Sequence, residues 1–534
     1  MLAFDGVTAP GWMVERLAGT PAAGVTLFRH ANTQSPAQLR ELTAALQAAA
    51  ARRGAGSLPL LVAGDQEGGQ LIALGDGTTP FAGNMALGAA GDTKLAERVG
   101  RAIGLESRAV GLNVVYAPVC DIAANPANPA VGIRSFGEDP ASVAGLAAAF
   151  VRGVQSAGAA ATVKHFPGAG GLDLDSHHEL GSLPDDHDLS RLDALELVPF
   201  RAAIEAGARV VMSGHFAVPG LTGRPNLPAT LDRSVMTDLL RDDLGFDGVA
   251  ITDALDMGAI TQGPGPGQVL DAVAAFTAGV DLLLLGPGQD ARRRIEEGLV
   301  HAAGRRILDR SGLERAAARL AALRAWLATS PQPDLGVVGS GGHRALAREL
   351  AERSVTLVRD EAGLLPIRPS AETALLVVLP RPDDITPADT TSTVTNTLAD
   401  ALRRRHPRVE EILVAPRPDP LEIAALLSRA AAADLVILGT DAAHRRGEQA
   451  ALAAALIAAG PPVVSLALRT PWDLASYPQA GTHACTYGIH PPQMEALAGA
   501  LFGEIPFAGH LPVRIPGIAT PAAGSGASRV GRAE

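Results

Sequence analysis

Cysteine is almost absent from this 534-residue chain, which contains only Cys120 and Cys485. The two lie far apart and belong to no CxxC or Cys/His spacing, so neither a disulfide framework nor a structural zinc site is indicated. We predict that both are buried, unreactive thiols.

The sequence also has no uninterrupted run of about 20 apolar residues, and its first residues lack a basic segment followed by a long apolar stretch. Acidic residues outnumber basic ones by 56 to 45, and the net charge of −11 would repel an extended polyphosphate. We therefore expect a cytoplasmic protein with neither a membrane nor a nucleic-acid partner, and we leave its oligomeric state open.

Aromatic residues make up only 3% of the chain, yet 47% of its side chains are apolar, which suffices for large cores in about two domains. Seven short apolar runs lack polar alternation, as is typical of strands buried on both faces. They are residues 24–28, 58–64, 112–119, 160–166, 209–214, 248–252 and 280–286. Segments with helical spacing separate them, which predicts an α/β fold with parallel strands and right-handed crossovers. The number of units favours a closed (β/α)8 TIM-like barrel over an open sheet, with the eighth strand the least defined.

Residues 330–343 are rich in Pro and Gly and interrupt both periodicities, as a linker between domains does. Beyond this segment the alternation of strand and helix resumes, with apolar runs at 354–360, 374–380, 410–416, 434–440 and 462–468. We predict a barrel over 1–329 and a smaller three-layer α/β sandwich domain over 344–517. Within the smaller domain we expect a polar loop at 386–397, and after it a disordered tail at 518–534.

In a barrel of this type the reacting groups lie at the carboxyl ends of the strands. Polar side chains occur at or after that end of several predicted strands, and these are Asp65, Arg134, Lys164, His165, His215 and Asp253. Any one of them could be a solvated loop residue, but their convergence from several strands indicates a functional site.

Lysine is nearly as scarce as cysteine, since only Lys94 and Lys164 occur among 45 basic residues. Chance retention would explain either one. The position of Lys164 at a predicted strand end favours a functional role, because a compact ammonium fits where the planar fork of arginine does not.

The stretch KHFPGAGGLDLDSHHELGSLP, at 164–184, resembles the KHFPGHGDTxxDSHxxLP signature of glycoside hydrolase family three, in particular of its bacterial β-N-acetylglucosaminidases. The resemblance extends to DQEGG at 65–69, to NPANPAVGIRSFGEDP at 125–140 and to LGFDGVAITDALDM at 244–257. It also includes the smaller second domain of the longer family members, so it covers nearly the whole chain.

The resemblance implies a retaining glycosidase, which needs an anionic nucleophile and a group that protonates the departing oxygen. It identifies Asp253 as the nucleophile and His177 as the acid/base, with Asp175 beside it. A spacing of two residues lets Asp175 and His177 point to the same side of an extended loop, so the carboxylate can orient the imidazole. An ordinary imidazole can donate and accept a proton near neutral pH. The alternatives are a capping role for the aspartates, or a weak metal site at the DSHH run, for which we find no distant ligand.

The resemblance also assigns the sugar contacts. Asp65 is expected to accept a hydrogen bond from a sugar hydroxyl, with Arg134, Lys164 and His165 as donors. His215 faces the expected pocket, and either a substrate contact or a scaffold role is compatible with its position. No metal or organic cofactor is implied.

The sequence departs from the family pattern at two places. Family members usually carry two arginines in DQEGGRVxR, where this chain has Gln70 and Ala73. The family's HGDT is replaced by AGGL at 169–172, which includes Ala169, Gly171 and Leu172. The arginine that is missing at Ala73 removes one expected sugar contact. The AGGL segment changes how the catalytic loop is expected to be anchored.

The leading hypothesis is a retaining, exo-acting β-N-acetylhexosaminidase that acts on a small glycan, with cell-wall turnover as the role that the resemblance suggests. One alternative resolves the same covalent intermediate with phosphate, because a neutral imidazole would not repel the anion. Others are a β-glucosidase specificity and a sugar-binding protein that has lost turnover.

Overall fold

The structure, a computed structural model, describes residues 1–19, 22–54, 58–261 and 267–518. Apart from its first residue, the tail predicted at 518–534 lies outside the described residues. No helix in the described ranges is both long enough and apolar enough to cross a membrane.

Seven parallel strands form the sheet of the first half of the chain, hydrogen-bonded to one another in chain order. They are β1 Gly24–Thr26, β2 Leu61–Gly64, β3 Val114–Val115, β4 Ala160–Phe166, β5 Val210–Ser213, β6 Val249–Ala254 and β7 Leu282–Leu284. Each coincides with one of the seven apolar runs, and their side chains are mostly buried because helices cover the outside and other side chains fill the inside. The predicted barrel is therefore confirmed.

The first two residues of the chain occupy the gap between β1 and β7. The Leu2 amide donates to the Gly24 carbonyl at 2.9 Å, and the Thr26 amide donates to the Leu2 carbonyl at 2.8 Å. On the other side, the Leu285 amide donates to the Met1 carbonyl at 3.1 Å. A two-residue extended segment thus occupies the eighth position of the barrel.

Helices surround the barrel or extend its loops: Gly11–Gly19, Arg29–Asn32, Pro36–Ala51, Asn84–Ala90, Thr93–Ala109, Pro140–Ser156, Leu189–Ala194, Leu197–Glu205, Pro219–Thr222, Gly267–Ala278, Gln289–Gly304 and Arg310–Leu327, with a π-helix at Ser234–Asp243. Ser35, Asp92 and Asp139 each accept a backbone N–H at the start of a helix, which satisfies donors that have no partner within it. The helices Thr93–Ala109 and Pro140–Ser156 approach closely at Gly153, where a Cβ would lie 2.1 Å from the Glu97 carbonyl oxygen.

A second sheet lies in the C-terminal part of the chain. Its strands are β8 Thr356–Asp360, β9 Leu375–Pro380, β10 Val409–Val414, β11 Leu435–Thr440, β12 Val463–Ala467 and β13 Thr482–Cys485. The order across the sheet is β8-β13-β12-β11-β9-β10, and every pair is parallel except β8 with β13. The sequence predicts the first five of these strands but not β13.

The helices of this domain are Gly341–Ser354, Leu398–Arg403, Pro420–Ala430, Gly447–Ala458 and Pro491–Leu501. Alternate residues of its central strands belong to two separate apolar clusters, as when Val377 and Leu379 join one and Leu376 and Val378 the other. This arrangement is the predicted three-layer α/β sandwich. The boundaries at 329, 343 and 517 stay predictions.

Candidate active site

The carboxyl ends of β2 and β4 meet at a buried ionic cluster. The Lys164 ammonium lies 2.6 Å from Asp65 Oδ1 and 2.6 Å from Glu67 Oε1. Glu67 also accepts two hydrogen bonds from the Arg134 guanidinium, at 2.8 and 2.9 Å. Two cations and two carboxylates therefore form one connected group, in which Lys164 is 1% exposed and Arg134 5%.

Glu67 is the carboxylate that contacts both cations of this cluster. Burial alone would raise the pKa of its carboxyl group, but Arg134 and Lys164 outweigh burial and lower that pKa to about 2. Burial likewise opposes the charge on Lys164, yet Asp65 and Glu67 raise the pKa of its ammonium. Both cations consequently stay charged and fixed in direction, as donors to a polar ligand must be.

The His165 ring contacts Asp121 through one nitrogen and faces Arg134 and Asp253 with the other. Its Nδ1 lies 2.7 Å from Asp121 Oδ2, and its backbone amide donates to Asp121 Oδ1 at 3.1 Å. Its Nε2 lies 3.5 Å from Arg134 Nη2 and 4.0 Å from Asp253 Oδ2. With Asp121 as the acceptor for the Nδ1 proton, the other ring nitrogen is directed toward Asp253.

Asp253 lies near the end of β6 with its carboxylate directed into the cavity. One oxygen accepts the Ala254 amide at 2.8 Å, and the side chain is 18% exposed. Burial alone would raise the pKa of Asp253, but nearby imidazoles, chiefly that of His165, outweigh burial and keep that pKa below its usual value. The result is an ionised carboxylate that a ligand can reach.

His177 and Asp175 form a second pair on the loop after β4. His177 Nδ1 lies 2.6 Å from Asp175 Oδ1, and the same oxygen accepts the His177 amide at 3.0 Å. Burial opposes the charge on Asp175, but hydrogen bonding to His177 outweighs it and lowers the pKa of the carboxyl group. The carboxylate therefore fixes the ring orientation, and the imidazole lines the same cavity as Asp253.

The loop that carries His177 is tied to the segment after β6. The Gly258 amide donates to the His177 carbonyl at 2.9 Å, and the Ala259 amide donates to the Ser176 carbonyl at 3.1 Å. At Gly258 a Cβ would lie 2.2 Å from the His178 carbonyl oxygen, so this close approach requires glycine. The two segments that carry the proposed nucleophile and acid/base thus support each other directly.

One cavity brings together four of the residues predicted from the sequence, Arg134, His165, His177 and Asp253. Asp175 contacts His177 directly, whereas Lys164 and Asp65 are connected to Arg134 through Glu67. His215 differs, because it is 1% exposed and both ring nitrogens meet protein atoms, Nδ1 with Thr230 Oγ1 at 2.9 Å and Nε2 with the Ala254 carbonyl oxygen at 3.1 Å. Burial lowers the pKa of this imidazole, and the geometry favours the scaffold alternative for it.

Two partners of the site were not among the residues predicted from the sequence. Glu67 follows Asp65 by two positions in DQEGG, a spacing that places both side chains on one side of an extended segment. Asp121 follows β3 and is fully buried, so its position just beyond a strand end was the available signal.

The altered loop at 169–172 is anchored through its backbone. The Ala169 amide donates to Asp121 Oδ1 at 2.7 Å, and Asn128 Nδ2 donates to the Ala169 carbonyl at 2.8 Å. Asn125 Nδ2 donates to the Leu172 carbonyl at 3.0 Å. Backbone contacts of this kind do not depend on the side chains that the family pattern carries at these positions.

The other departure from the pattern lies next to the ionic cluster. Ala73 is 6% exposed, and its amide donates to the Asp65 carbonyl at 3.1 Å. Gln70 is also buried, in contact with the C-terminal domain. Within the described ranges, no three His, Cys, Asp or Glu side chains are grouped so as to hold a metal ion.

Comparison with known proteins gives one consistent family. The model described as glycosyl hydrolase family 3 N-terminal domain matches residues 12–323. A β-hexosaminidase A of Pseudoalteromonas piscicida is 36% identical over 397 residues, which are 70% of this chain and 65% of that protein. A protein of Cellulomonas fimi named β-N-acetylglucosaminidase/β-glucosidase is 32% identical over 509 residues, which are 89% of this chain and 87% of that protein.

Among solved structures, a glycoside hydrolase family 3 β-N-acetylglucosaminidase from Paenibacillus sp. str. FPU-7 superposes with a TM-score of 0.90 at 36% identity. The match covers 96% of this chain and 97% of that one, so both domains are included.

Proposed function

We propose that this chain, which belongs to glycosyl hydrolase family 3, is a retaining exo-hydrolase that releases β-linked N-acetylglucosamine from a small glycan. The observation that carries the proposal is the pairing of two different groups at one cavity. One is an ionised carboxylate, Asp253, and the other is an imidazole, His177, that a buried carboxylate orients. A retaining mechanism requires a nucleophile and an acid/base of this kind.

In the first step, Asp253 attacks the anomeric carbon and the bond from that carbon to the leaving oxygen breaks. The protonated His177 gives its Nε2 proton to the leaving oxygen. Asp175 stabilises the imidazolium before transfer, because its carboxylate lies 2.6 Å from the other ring nitrogen. The products are a glycosyl ester of Asp253 and the departed alcohol.

In the second step, neutral His177 takes a proton from water as the water oxygen attacks the anomeric carbon. The ester bond to Asp253 breaks, which restores the carboxylate and the imidazolium. The low pKa of Asp253 makes it a good leaving group in this step. Each step inverts the configuration of the anomeric carbon, so the released sugar keeps the β configuration.

The buried ionic cluster supplies the sugar contacts in this proposal. Asp65 accepts from one sugar hydroxyl, Arg134 and Lys164 donate to the ring substituents, and His165 faces the sugar with Nε2, the ring nitrogen turned away from Asp121. Their mutual bonds hold them in place before the sugar arrives, which reduces the entropy lost on binding.

Chromogenic β-glycosides test the proposal. We expect turnover of p-nitrophenyl N-acetyl-β-glucosaminide to exceed that of the β-glucoside, with the β-configured sugar as the first product. Asp253→Ala should lose at least about a thousandfold in kcat while the folded variant still binds N-acetylglucosamine. Equal turnover by wild type and Asp253→Ala would show that the nucleophile is another residue.

Phosphorolysis is the second candidate function, because His177 stands where a repelling carboxylate would otherwise meet an incoming phosphate. The same assay run with and without inorganic phosphate separates the two. Free sugar in both conditions supports hydrolysis, and sugar 1-phosphate that forms only with phosphate supports the alternative.

A further inference from the structure

A short hairpin connects the sugar-binding cluster to the rest of the molecule. It follows Asp65 directly and pairs Gln66–Gly68 with Leu71–Ile72 in antiparallel fashion. Its first strand carries Glu67, whose carboxylate holds the cluster's two cations. Any displacement of this hairpin therefore displaces Glu67 and, with it, the donors that Glu67 orients.

The hairpin is held by the C-terminal domain, chiefly through Thr390. The Thr390 amide donates to the Gln70 carbonyl at 2.7 Å, and the Thr390 hydroxyl donates to the same oxygen at 2.9 Å. That hydroxyl also accepts the Ile72 amide at 3.3 Å. One side chain thus binds both the turn and the second strand of the hairpin.

Two further side chains of the C-terminal domain, those of His490 and Arg469, contact the turn. His490 Nε2 lies 2.7 Å from the Gly69 carbonyl oxygen, and the imidazole is 6% exposed. The amide of the Gln70 side chain donates to the Ala388 carbonyl at 3.1 Å, and its oxygen accepts from Arg469 at 3.3 Å.

The contact surface on the C-terminal side is itself rigid. The Arg469 guanidinium is 3% exposed and lies 2.5 Å from Asp389 Oδ2 and 2.7 Å from Asp441 Oδ1. Asp389 in turn accepts the Thr391 amide at 2.8 Å, next to Thr390. Buried ion pairs that are fully hydrogen-bonded restrict alternative arrangements, so the loop presents Thr390 in one position.

We propose that the polar loop 386–397 of the C-terminal domain positions the sugar-binding cluster, with Thr390 as the positioning residue. The inference rests on the proposed function in that it takes the cluster of Asp65, Lys164 and Arg134 as the sugar subsite. The second domain then has a specific effect on catalysis although none of its residues is required to touch the sugar. Since the cluster binds the sugar throughout the reaction, a looser hairpin should raise KM and leave kcat nearly unchanged.

Three threonine variants test this inference. Thr390→Val keeps the β-branched shape and the backbone amide but removes the hydroxyl, and Thr390→Ser restores the hydroxyl. Thr395→Val makes the same change at an exposed position of the same loop, so it serves as the matched control. Thr390→Val loses both hydrogen bonds of the hydroxyl, and only part of their energy reaches the sugar. We expect KM for the best β-glycoside to rise about three- to tenfold in this variant, with kcat changed less than about twofold. Thr390→Ser and Thr395→Val should stay near wild type.

Amide hydrogen exchange supplies a readout that does not depend on turnover. In Thr390→Val, exchange should accelerate at 66–74 and also at 130–135, because Glu67 in the hairpin binds Arg134 in the second segment. Faster exchange at 66–74 alone, an unchanged KM, or a loss of kcat at constant KM would overturn the inference. If wild type hydrolysed no glycoside, the proposed function would fail, and the exchange at 130–135 would decide the inference alone.

Discussion

Replacing Glu67 by glutamine removes one negative charge from a cluster in which Lys164 and Arg134 are almost fully buried. The side chain keeps its shape, but the two cations lose a partner that each touches directly. Lowering the pKa of Glu67 from 4.5 to about 2 corresponds to about 3 kcal/mol of stabilisation, since a tenfold change in an equilibrium constant is about 1.4 kcal/mol. This value agrees with the cost of about 3 to 5 kcal/mol that is typical when one partner of a buried ion pair is removed. We expect Glu67→Gln to lower the free energy of unfolding by about 3 kcal/mol at pH 7.

The pH dependence follows from the sign of the change. A carboxyl group whose pKa is lower in the folded state stabilises that state above its unfolded pKa, and the stabilisation is lost as the pH falls through the folded pKa. For Glu67 the advantage over Glu67→Gln is therefore complete above pH 4.5 and declines between pH 4.5 and about 2. At pH 3.5 about 2 kcal/mol of it should remain.

Urea unfolding of both proteins, followed by intrinsic fluorescence at several pH values, measures this difference. The control is Glu97→Gln, which makes the same substitution in an ion pair with Arg152 whose side chains are about half exposed. Such pairs contribute less than about 1 kcal/mol. If Glu67→Gln cost no more than Glu97→Gln, or if its cost did not shrink in acid, the buried cluster would not have the energetic role that its geometry indicates.

Three further outcomes follow from the site. Asp175→Asn should lower kcat by about 10²- to 10⁴-fold with little change in KM, because the carboxylate that orients His177 is lost; steady-state kinetics at pH 7 measures this, and an unchanged kcat would contradict the pairing. The pKa of Asp253 lies below its usual value, so this proposed nucleophile stays ionised from pH 5 to 7 and kcat/KM should show no acid limb from it there. An acid limb in that range that persists in Asp175→Asn would contradict this prediction. Burial raises the pKa of both Cys120 and Cys485, so iodoacetamide at pH 7 should label neither thiol in the folded protein and both in urea, as mass spectrometry can show.

The barrel could be predicted because its strands are buried on both faces, which makes them continuous apolar runs between helical segments. The eighth position could not, because Met1 and Leu2 fill it through backbone hydrogen bonds to distant parts of the chain, which the local sequence does not reveal. Strand β13, Thr482–Cys485, was not predicted, because its four residues mix polar and apolar side chains although all are buried. Thr482 and His483 are satisfied there by hydrogen bonds to Asp360 and Ser465, which no pattern in the local sequence reveals.

The sequence predicted the motif residues of the candidate site but not the side chains that contact them from elsewhere in the fold. Residues at strand ends, such as Lys164 and Asp253, carry a positional signal because parallel strands bring their carboxyl ends together. Glu67 and Asp121 contact side chains from other strands, and Thr390 contacts the hairpin from another domain, so only tertiary contacts connect them to the site. His215 shows the converse, because its position at a strand end is correct while both of its ring nitrogens are already engaged by protein atoms.

The site divides into a fixed part and an accessible part, and this division suits the proposed two-step mechanism. Lys164, Glu67 and Arg134 are at most 4% exposed in their side chains and bind one another, so they keep their directions through both steps. The side chains of Asp253 and His177 are 18% and 25% exposed. In the proposed mechanism, Asp253 alternates between anion and glycosyl ester, and His177 alternates between acid and base. The His177 backbone is hydrogen-bonded to the segment that follows Asp253, so in the proposed mechanism these two groups keep their relative position while the cluster holds the sugar.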